Sequence, residues 1–265
     1  MSLRIATWNV NSVRQRLSHL KDFTDAYNPD VLCLQETKVQ NSEFPENDIK
    51  SMGYEAVLFH GQKSYNGVAI LCKKDVVSYD RQVWCEKDDC RHLSVTLENG
   101  LQVHNFYVPS GGSVPDPEQN DKFAHKLQFL KEMTKWASDP AIKDKKVILV
   151  GDLNVAPLEN DVWNHKKIQK SVGHTPLECE LIANLKAAGG LTDVGRHFVP
   201  EDQPLYSWWG YRYKLAFAKN YGWRLDHILA TESLKSALEN FEVIKDTRSW
   251  ERPSDHVPNI VDLNL

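Results

Sequence analysis

The 265-residue chain has no apolar run approaching the roughly 20 residues that a membrane-spanning helix requires. Its first residues, MSLRIATWNV, contain no long signal-peptide-like apolar stretch and begin at once with a strand-like pattern. The expectation is a cytoplasmic protein without membrane contact. Cysteine is scarce: Cys33, Cys72, Cys85, Cys90 and Cys179 are odd in number and scattered, which suits reduced thiols. Cys85, Cys90 and His92 resemble a zinc corner, but no compact second pair accompanies them. No Walker-type or dinucleotide glycine motif is present, and the segment Gly61 to Ser64 is too short to count as one. Positive charge is not in excess, since 32 Lys and Arg face 36 Asp and Glu for a net charge of −4. A polyanion would therefore have to be held by a local basic surface and by metal ions. Low-complexity tracts, internal duplication by identity and coiled-coil stripes are also missing. One domain spanning 1–265 and a monomeric state are expected.

The chain is organised around Lys145 to Pro157, KKVILVGDLNVAP. Val147 to Val150 is a short, mostly β-branched run of the kind that forms a strand buried on both faces. Gly151 permits close backbone approach, Asp152 and Asn154 follow at the strand end, and Pro157 stops regular continuation. The same pattern recurs. Leu3–Val10 reads as a strand ending in Asn9 and Asn11, and Ser12 is placed to cap a helix carrying Val13, Leu17, Leu20 and Tyr27. Val31–Leu34 reads as a strand ending at Glu36. Strands are expected at Tyr54–Phe59 and Val68–Cys72 around an Asn66-Gly67 turn, and at Arg91–Leu97 and Leu101–Val108 around Glu98 to Gly100. Amphipathic spacing predicts helices over Glu118–Ala137, with Phe123, Leu127, Leu130 and Met133 inward, and near Pro176–Ala188; a shorter one is expected near Glu46–Met52. Strands at Leu225–Ala230, Phe241–Ile244 and Asn259–Leu265 close the chain. Interleaved helices and hairpin-linked strands imply mixed sheets, best accommodated by a layered α/β sandwich of two packed sheets inside helices.

Polar groups thus fall at five strand ends or adjoining loops: Asn9, Glu36, Asp152 with Asn154, Asp226, and Asp255 with His256. Each has a local alternative, such as capping for Asn9, an ion pair with Lys38 for Glu36, or a turn for Asp255. Were the ends to converge, they would form an oxygen-rich site with one histidine, suited to Mg²⁺ or Mn²⁺ rather than zinc. Such a site can polarise a phosphoryl oxygen and activate water.

TWNVNS (Thr7–Ser12), LQETK (Leu34–Lys38), GDLNVAP (Gly151–Pro157), WRLDHIL (Trp223–Leu229) and SDHVP (Ser254–Pro258) occur in the order seen in the endonuclease/exonuclease/phosphatase superfamily. The chain resembles its exonuclease III branch of apurinic/apyrimidinic endonucleases, of bacterial type, over essentially its whole length. The resemblance implies a four-layered α/β sandwich and metal-dependent hydrolysis of the phosphodiester 5′ to abasic sites in duplex DNA, with 3′→5′ exonuclease and 3′-end-cleaning activity. It maps Glu36 onto the principal metal ligand, with Asn9 and Asp255 nearby. Asp152 would orient and deprotonate the attacking water, Asn154 would hold water or phosphate, and His256 paired with Asp226 would stabilise transition-state charge. Tyr107 matches a tyrosine that positions the phosphate or leaving group, while Asn66 and Arg91 lie in segments that approach DNA. Trp208, Trp223 and Leu225 match the wall of a pocket for an extruded abasic sugar, and Arg212 falls where relatives push a side chain into the duplex. Ser110 stands where some relatives carry an amide, so that phosphate contact is not carried over.

One segment points to DNA independently of the resemblance. Pro204 to Leu225 holds Arg212, Lys214, Lys219 and Arg224 and no acidic residue, interleaved with Tyr206, Trp208, Trp209, Tyr211, Tyr213, Phe217, Tyr221 and Trp223. Basic groups answer phosphates and aromatic faces stack on bases or enclose a bare deoxyribose, although some of these rings, Trp209 above all, serve a core equally well. The rival readings are a phosphatase or sphingomyelinase-like member of the superfamily and a non-catalytic nucleic-acid-associated regulator. The aromatic–basic segment opposes the first. The presence of Glu36, Asp152, Asn154, Asp226 and His256 opposes the second.

Overall fold

The computed structural model describes residues 2–265. Twelve strands run as β1 (Ser2–Asn9), β2 (Val31–Gln35), β3 (Ala56–His60), β4 (Val68–Cys72), β5 (Val76–Asp80), β6 (His92–Leu97), β7 (Gln102–Tyr107), β8 (Val147–Asp152), β9 (Leu191–Asp193), β10 (Asp226–Thr231), β11 (Leu238–Val243) and β12 (Asn259–Asn264). Helices are α1 (Leu17–Tyr27), α2 (Glu46–Lys50), α3 (Asp121–Ala137), α4 (Pro140–Lys143), α5 (His165–Ile168), α6 (Pro176–Gly189) and α7 (Val194–Phe198). The strands form two six-stranded sheets, ordered β11-β12-β1-β2-β4-β3 and β5-β6-β7-β8-β10-β9. Both are mixed: β1/β2 and β7/β8 pair in parallel while their other neighbours are antiparallel.

The four layers follow from strand periodicity. Successive side chains point to opposite faces, so Ile5, Val31, Cys33, Ile148, Val150 and Ile228 meet in a core shared by the two sheets. The alternate residues face outward to helices: Trp8, Leu32 and Leu34 pack with Leu20 and Phe23 of α1, whereas Leu149 and Leu229 pack with Phe129 and Leu130 of α3 and Leu185 of α6. This is the two-sheet sandwich inside helices that the alternation of elements predicts. Gly151 enables it locally. With φ of 138°, a Cβ there would lie 1.9 Å from the Phe106 carbonyl oxygen, so only glycine lets β7 and β8 pair at this point.

Two helix starts show what the sequence could and could not convey. For α6, Thr175 accepts from the Glu178 amide while the Glu178 side chain reaches back, with Pro176 in the first turn. Ser12, expected as a cap, has φ of 96°, and α1 begins only at Leu17 after Arg16, which makes no capping bond. The intervening amides are engaged elsewhere: Ser12 donates to the Glu36 carbonyl and Val13 to that of Thr37, tying this loop to the end of β2. The short β5, β9, α4 and α7 lack a clear period and are not foreseen from the sequence.

Candidate active site

The inward-facing rows of both sheets end in polar groups at one end of the sandwich. In β1 the row Leu3, Ile5, Thr7 ends at Asn9; in β8 Ile148 and Val150 lead to Asp152; in β10 Ala230 and Ile228 lead back to Asp226; in β7 Val103 leads to Tyr107. Register places these ends side by side, since Tyr107 and Asp226 are the pairing partners of Asp152 on its two flanking strands. Below them lies a buried polar layer in which Gln35 Nε2 donates to Thr7 Oγ1 (2.9 Å) and Asn105 Oδ1 (2.7 Å).

Asn9 Nδ2 donates to both Glu36 Oε1 (2.9 Å) and Asp152 Oδ2 (2.8 Å), linking carboxylates from different sheets. The Tyr107 hydroxyl donates to the same Glu36 oxygen at 2.9 Å. His256 Nδ1 donates to Asp226 Oδ2 at 2.8 Å, and its Nε2 lies 3.7 Å from Asp152 Oδ2. Asp226 Oδ2 also receives the Ser207 hydroxyl at 2.6 Å. The loop bearing His256 is clamped to β1, because Ser254 Oγ donates to the Asn9 carbonyl and Trp8 Nε1 to that of His256. Asn154, at φ 54°, donates its amide N–H to Asp152 Oδ1 and its side-chain Nδ2 to the Val108 carbonyl.

The electrostatics split the two central groups. Burial drives the Asp152 carboxyl upward, and Asp226 and Glu36 add to this against the pull of His256, leaving it at about 7. Burial alone would neutralise His256, but Asp226 and Asp152 outweigh it and hold the imidazole protonated, with a pKa of about 10. Glu36 is held below its usual range: burial works against the charge, and Lys38 and the Asn9 amide overcome it. Burial together with Glu36 and Asp152 raises the Tyr107 phenol well above its ordinary value, so it remains a donor.

Glu36, Asp152 and His256 present ligand-type atoms within 4.8 Å of one another. Their side chains are 18%, 1% and 5% exposed, so solvent reaches the group from the Glu36 side. A protonated imidazole cannot ligate, leaving the Glu36 and Asp152 carboxylates, oxygen donors that fit a hard divalent cation. Asp255 does not join this group. Its Oδ1 accepts from Asn11 Nδ2 (2.9 Å) and its Oδ2 from Trp208 Nε1 (3.0 Å), so it connects the β1 loop to a tryptophan instead. The local ion pair considered for Glu36 is also formed, with Lys38 Nζ at 2.7 Å. Cys85 and His92 do not gather around Cys90, which stands with His60 and Asp88 while Arg81 donates to His60 Nδ1.

Beside the cluster opens a cleft of about 450 Å³ lined by Asn154, Trp208, Trp223, Leu225, Arg212, Ser110 and the Lys170–Gly173 turn. The Trp208 and Trp223 rings meet edge to face at 6.1 Å. Arg91 and Asn66 lie at the neighbouring loops. The Arg91 guanidinium covers the Tyr107 ring at 4.9 Å and pairs with Asp89, and Asn66 donates to the Asp89 carbonyl. Both therefore brace the site from within. Arg224 is not a surface cation: it is 2% exposed and pairs with Asp161 and Asp193, so the segment's basic surface is Arg212, Lys214 and Lys219. Trp209 is fully buried. Sequence reasoning also missed Lys126. Wholly buried on α3, it pairs with Glu178 at 2.5 Å and donates to the Asn154 carbonyl at 2.6 Å, fixing the cleft floor. A lysine on the inward face of an amphipathic helix is the signal that could have revealed it.

An α/β sandwich that raises carboxylates, an amide, a phenol and an imidazolium at one end is the framework of a phosphate-ester hydrolase. The chain belongs to the Endonuclease/Exonuclease/phosphatase family, whose model matches residues 6–256, and to its exonuclease III-like branch. It is 30% identical to exodeoxyribonuclease III of Haemophilus influenzae over 97% of this chain and 98% of that protein. It is likewise 30% identical to an exodeoxyribonuclease of Bacillus subtilis, covering 99% of this chain and all of that protein. Among solved structures, an AP endonuclease from Archaeoglobus fulgidus superposes with a TM-score of 0.92 at 33% identity, covering 99% of this chain and 100% of that one. A 3′-5′ exonuclease from Neisseria meningitidis does so with 0.91 at 32% identity and the same coverage.

Proposed function

We propose that the protein is a DNA-repair nuclease that hydrolyses the phosphodiester 5′ to an abasic site in duplex DNA, and that the same centre trims and cleans 3′ ends. The observation that carries this reading is the cleft walled by Trp208, Trp223 and Leu225 beside the Glu36–Asp152–His256 cluster, joined to it by Asn154, which donates to Asp152, and by Trp208, whose ring lies 6.4 Å from that of His256. Apolar rings beside a hydrolytic centre suit a deoxyribose without its base, and Arg212 at the rim suits a flanking phosphate. The end-processing part is supported by a further relative, a 3′ phosphatase from Neisseria bound to a product DNA hairpin, 31% identical with a TM-score of 0.91.

In this reading Mg²⁺, with Mn²⁺ as a substitute, would be held by Glu36 with Asn9 and Asp152 beside it and would supply Lewis-acid polarisation of a phosphoryl oxygen. Asp152 orients the attacking water and accepts its proton, a task suited to a carboxylate poised near neutrality. Asn154, on the cleft wall, holds the water or the phosphate. His256, kept cationic by Asp226, faces the charge that develops on the phosphate and stabilises it without reorganising. Tyr107 helps position the phosphate or leaving group from its place between Glu36 and Arg91. The protein is expected to act as a monomer in the cytoplasm, associated with the nucleoid through DNA.

The test is an end-labelled duplex with one tetrahydrofuran abasic analogue, run with Mg²⁺ and with chelator beside a nicked duplex bearing a 3′-phosphate. Metal-dependent incision 5′ to the analogue is expected, reduced at least about tenfold by Trp223→Ala. Removal of the 3′-phosphate without incision would make the protein an end-cleaning phosphatase. Binding without any hydrolysis would make it a regulator.

A further inference from the structure

A second cleft, of about 370 Å³, lies beyond the catalytic one and shares Trp208 and Arg212 with it as a common wall. It is built from rings in series. Trp163 and Tyr221 stack at 4.2 Å and 23°, and Tyr213 continues the stack on Tyr221 at 5.8 Å and 18°. Lys167 Nζ lies 5.1 Å over the Trp163 ring. Backbone bonds lock the arrangement, Trp163 N–H donating to the Gly222 carbonyl at 3.0 Å and Tyr221 N–H to that of Ala216 at 2.8 Å. Gly210 lets the chain pass tight against Trp208, since a Cβ there would lie 2.7 Å from the ring.

Trp163 and Tyr221 are half-buried against the neighbouring core, and the stack ends in an exposed ring. Tyr213 is 43% exposed, and Lys167 and Arg212 are exposed at the edge of the cleft. No acidic side chain lines it. Lys219 Nζ also lies 5.8 Å over the Tyr213 ring. Aromatic rings edged by lysines and an arginine match a ligand that is a planar ring attached to a phosphate, which would displace the lysine from the ring it covers. The two clefts share Trp208 and Arg212, so a strand held in the catalytic cleft runs on past this one.

We propose that this cleft is a stacking subsite for one unpaired nucleobase of the bound DNA, adjacent to the nucleotide in the catalytic cleft, with Lys167 and Arg212 on its phosphates. It rests on the DNA reading above and adds a second contact point to it. Drawing a sugar into the catalytic cleft separates neighbouring bases, and the displaced base regains its lost stacking on Tyr213, Tyr221 and Trp163. The subsite holds the distorted duplex and takes no part in the chemistry.

The test is photo-crosslinking. Duplexes carrying one tetrahydrofuran, with 5-iodouracil opposite it or at either flanking position, are bound to the Asp152→Asn protein with Mg²⁺ and irradiated, and the adduct is mapped by mass spectrometry. A flanking position on the lesion strand is expected to crosslink to Trp163, Tyr213 or Tyr221, and a crosslink confined to the base opposite the lesion would overturn the assignment. In otherwise unaltered protein, Tyr213→Ala, on an exposed ring, is expected to raise the Kd for the abasic duplex about tenfold, with KM changed far more than kcat. Bound duplex whose adducts map elsewhere, or a Tyr213→Ala Kd within twofold of the unaltered protein, overturns the subsite while incision by the unaltered protein keeps the nuclease reading. Crosslinks at these rings without any incision would remove the nuclease reading and leave the subsite. Neither binding nor incision would remove both.

Discussion

Asn11, Ser12, Glu36, Lys38, Asn66 and Asn154 all adopt positive φ, and all lie in the loops that frame the hydrolytic cluster. Asparagine adopts such backbone readily, but for Ser12, Glu36 and Lys38 it is costly and persists only where surrounding bonds impose it. Here they do: the amides of Ser12, Thr37 and Lys38 are each tied to a carbonyl of a facing loop. At the same scale, Asp152 and His256 set a pH dependence. In the proposed mechanism Asp152 works as the carboxylate, so the rate should fall as pH drops through about 7, and His256 works as the cation, so the rate should fall again as pH rises through about 10. A divalent cation beside Glu36 favours the carboxylate and should move the acid limb lower, whereas Asp226→Asn, which removes the charge partner of His256, should pull the alkaline limb down. A pH profile of kcat/KM at two Mg²⁺ concentrations checks both; an alkaline limb unmoved in Asp226→Asn would contradict the assignment.

The elements show why some of the site could be read in advance and some could not. A two-residue period is local, so the strand ends at Asn9, Asp152 and Asp226 were legible in short motifs. Their meeting was not, because it depends on β7, β8 and β10 pairing in one register and on a second sheet stacking against them. The same limit explains Arg224. It sits in an aromatic–basic segment, but its partners Asp161 and Asp193 are 63 and 31 residues away, and only the fold turns a surface cation into a buried one. Lys126 of α3 and Glu178 of α6 form a further long-range device, wholly buried, that also holds the amides of Gly173 and Thr175. Lys126→Met strands the Glu178 charge and should destabilise the protein by about 3–5 kcal/mol. Lys126→Met with Glu178→Gln should recover part of that loss. Chemical denaturation of the two singles and the double gives the coupling, and strict additivity would contradict a direct pair.

Over the whole molecule, three histidines are buried on the face of the second sheet that turns away from the shared core, against Trp84, Phe106 and Trp136 and the Val155 carbonyl. His92, His104 and His227 are buried and, mainly through burial, titrate low: His104 at about 3, His227 at about 4 and His92 well below its ordinary value. Their folded pKa values lie beneath the unfolded value of about 6.5, so between the two the unfolded chain binds protons that the folded one refuses. Stability from these groups is complete above about pH 6.5 and is lost as pH falls towards 4, by about 1.4 kcal/mol per pH unit for each histidine. Thermal unfolding followed from pH 7.5 to 4 should show Tm falling only below about pH 6.5, and a Tm flat from there to pH 4 would contradict it. Among the described residues no helix is long and apolar enough to cross a membrane. Hydrolysis is assigned to the end of the sandwich where the rows of both sheets become polar. It is tested most directly by the single-turnover rate of incision of a tetrahydrofuran-containing duplex in Mg²⁺, comparing the unaltered protein with Asp152→Asn. The amide keeps the shape and removes the proton acceptor, so duplex binding should be retained while the rate falls about 10²- to 10⁴-fold. A rate within a few-fold of the unaltered protein would mean that Asp152 is not the group that activates water.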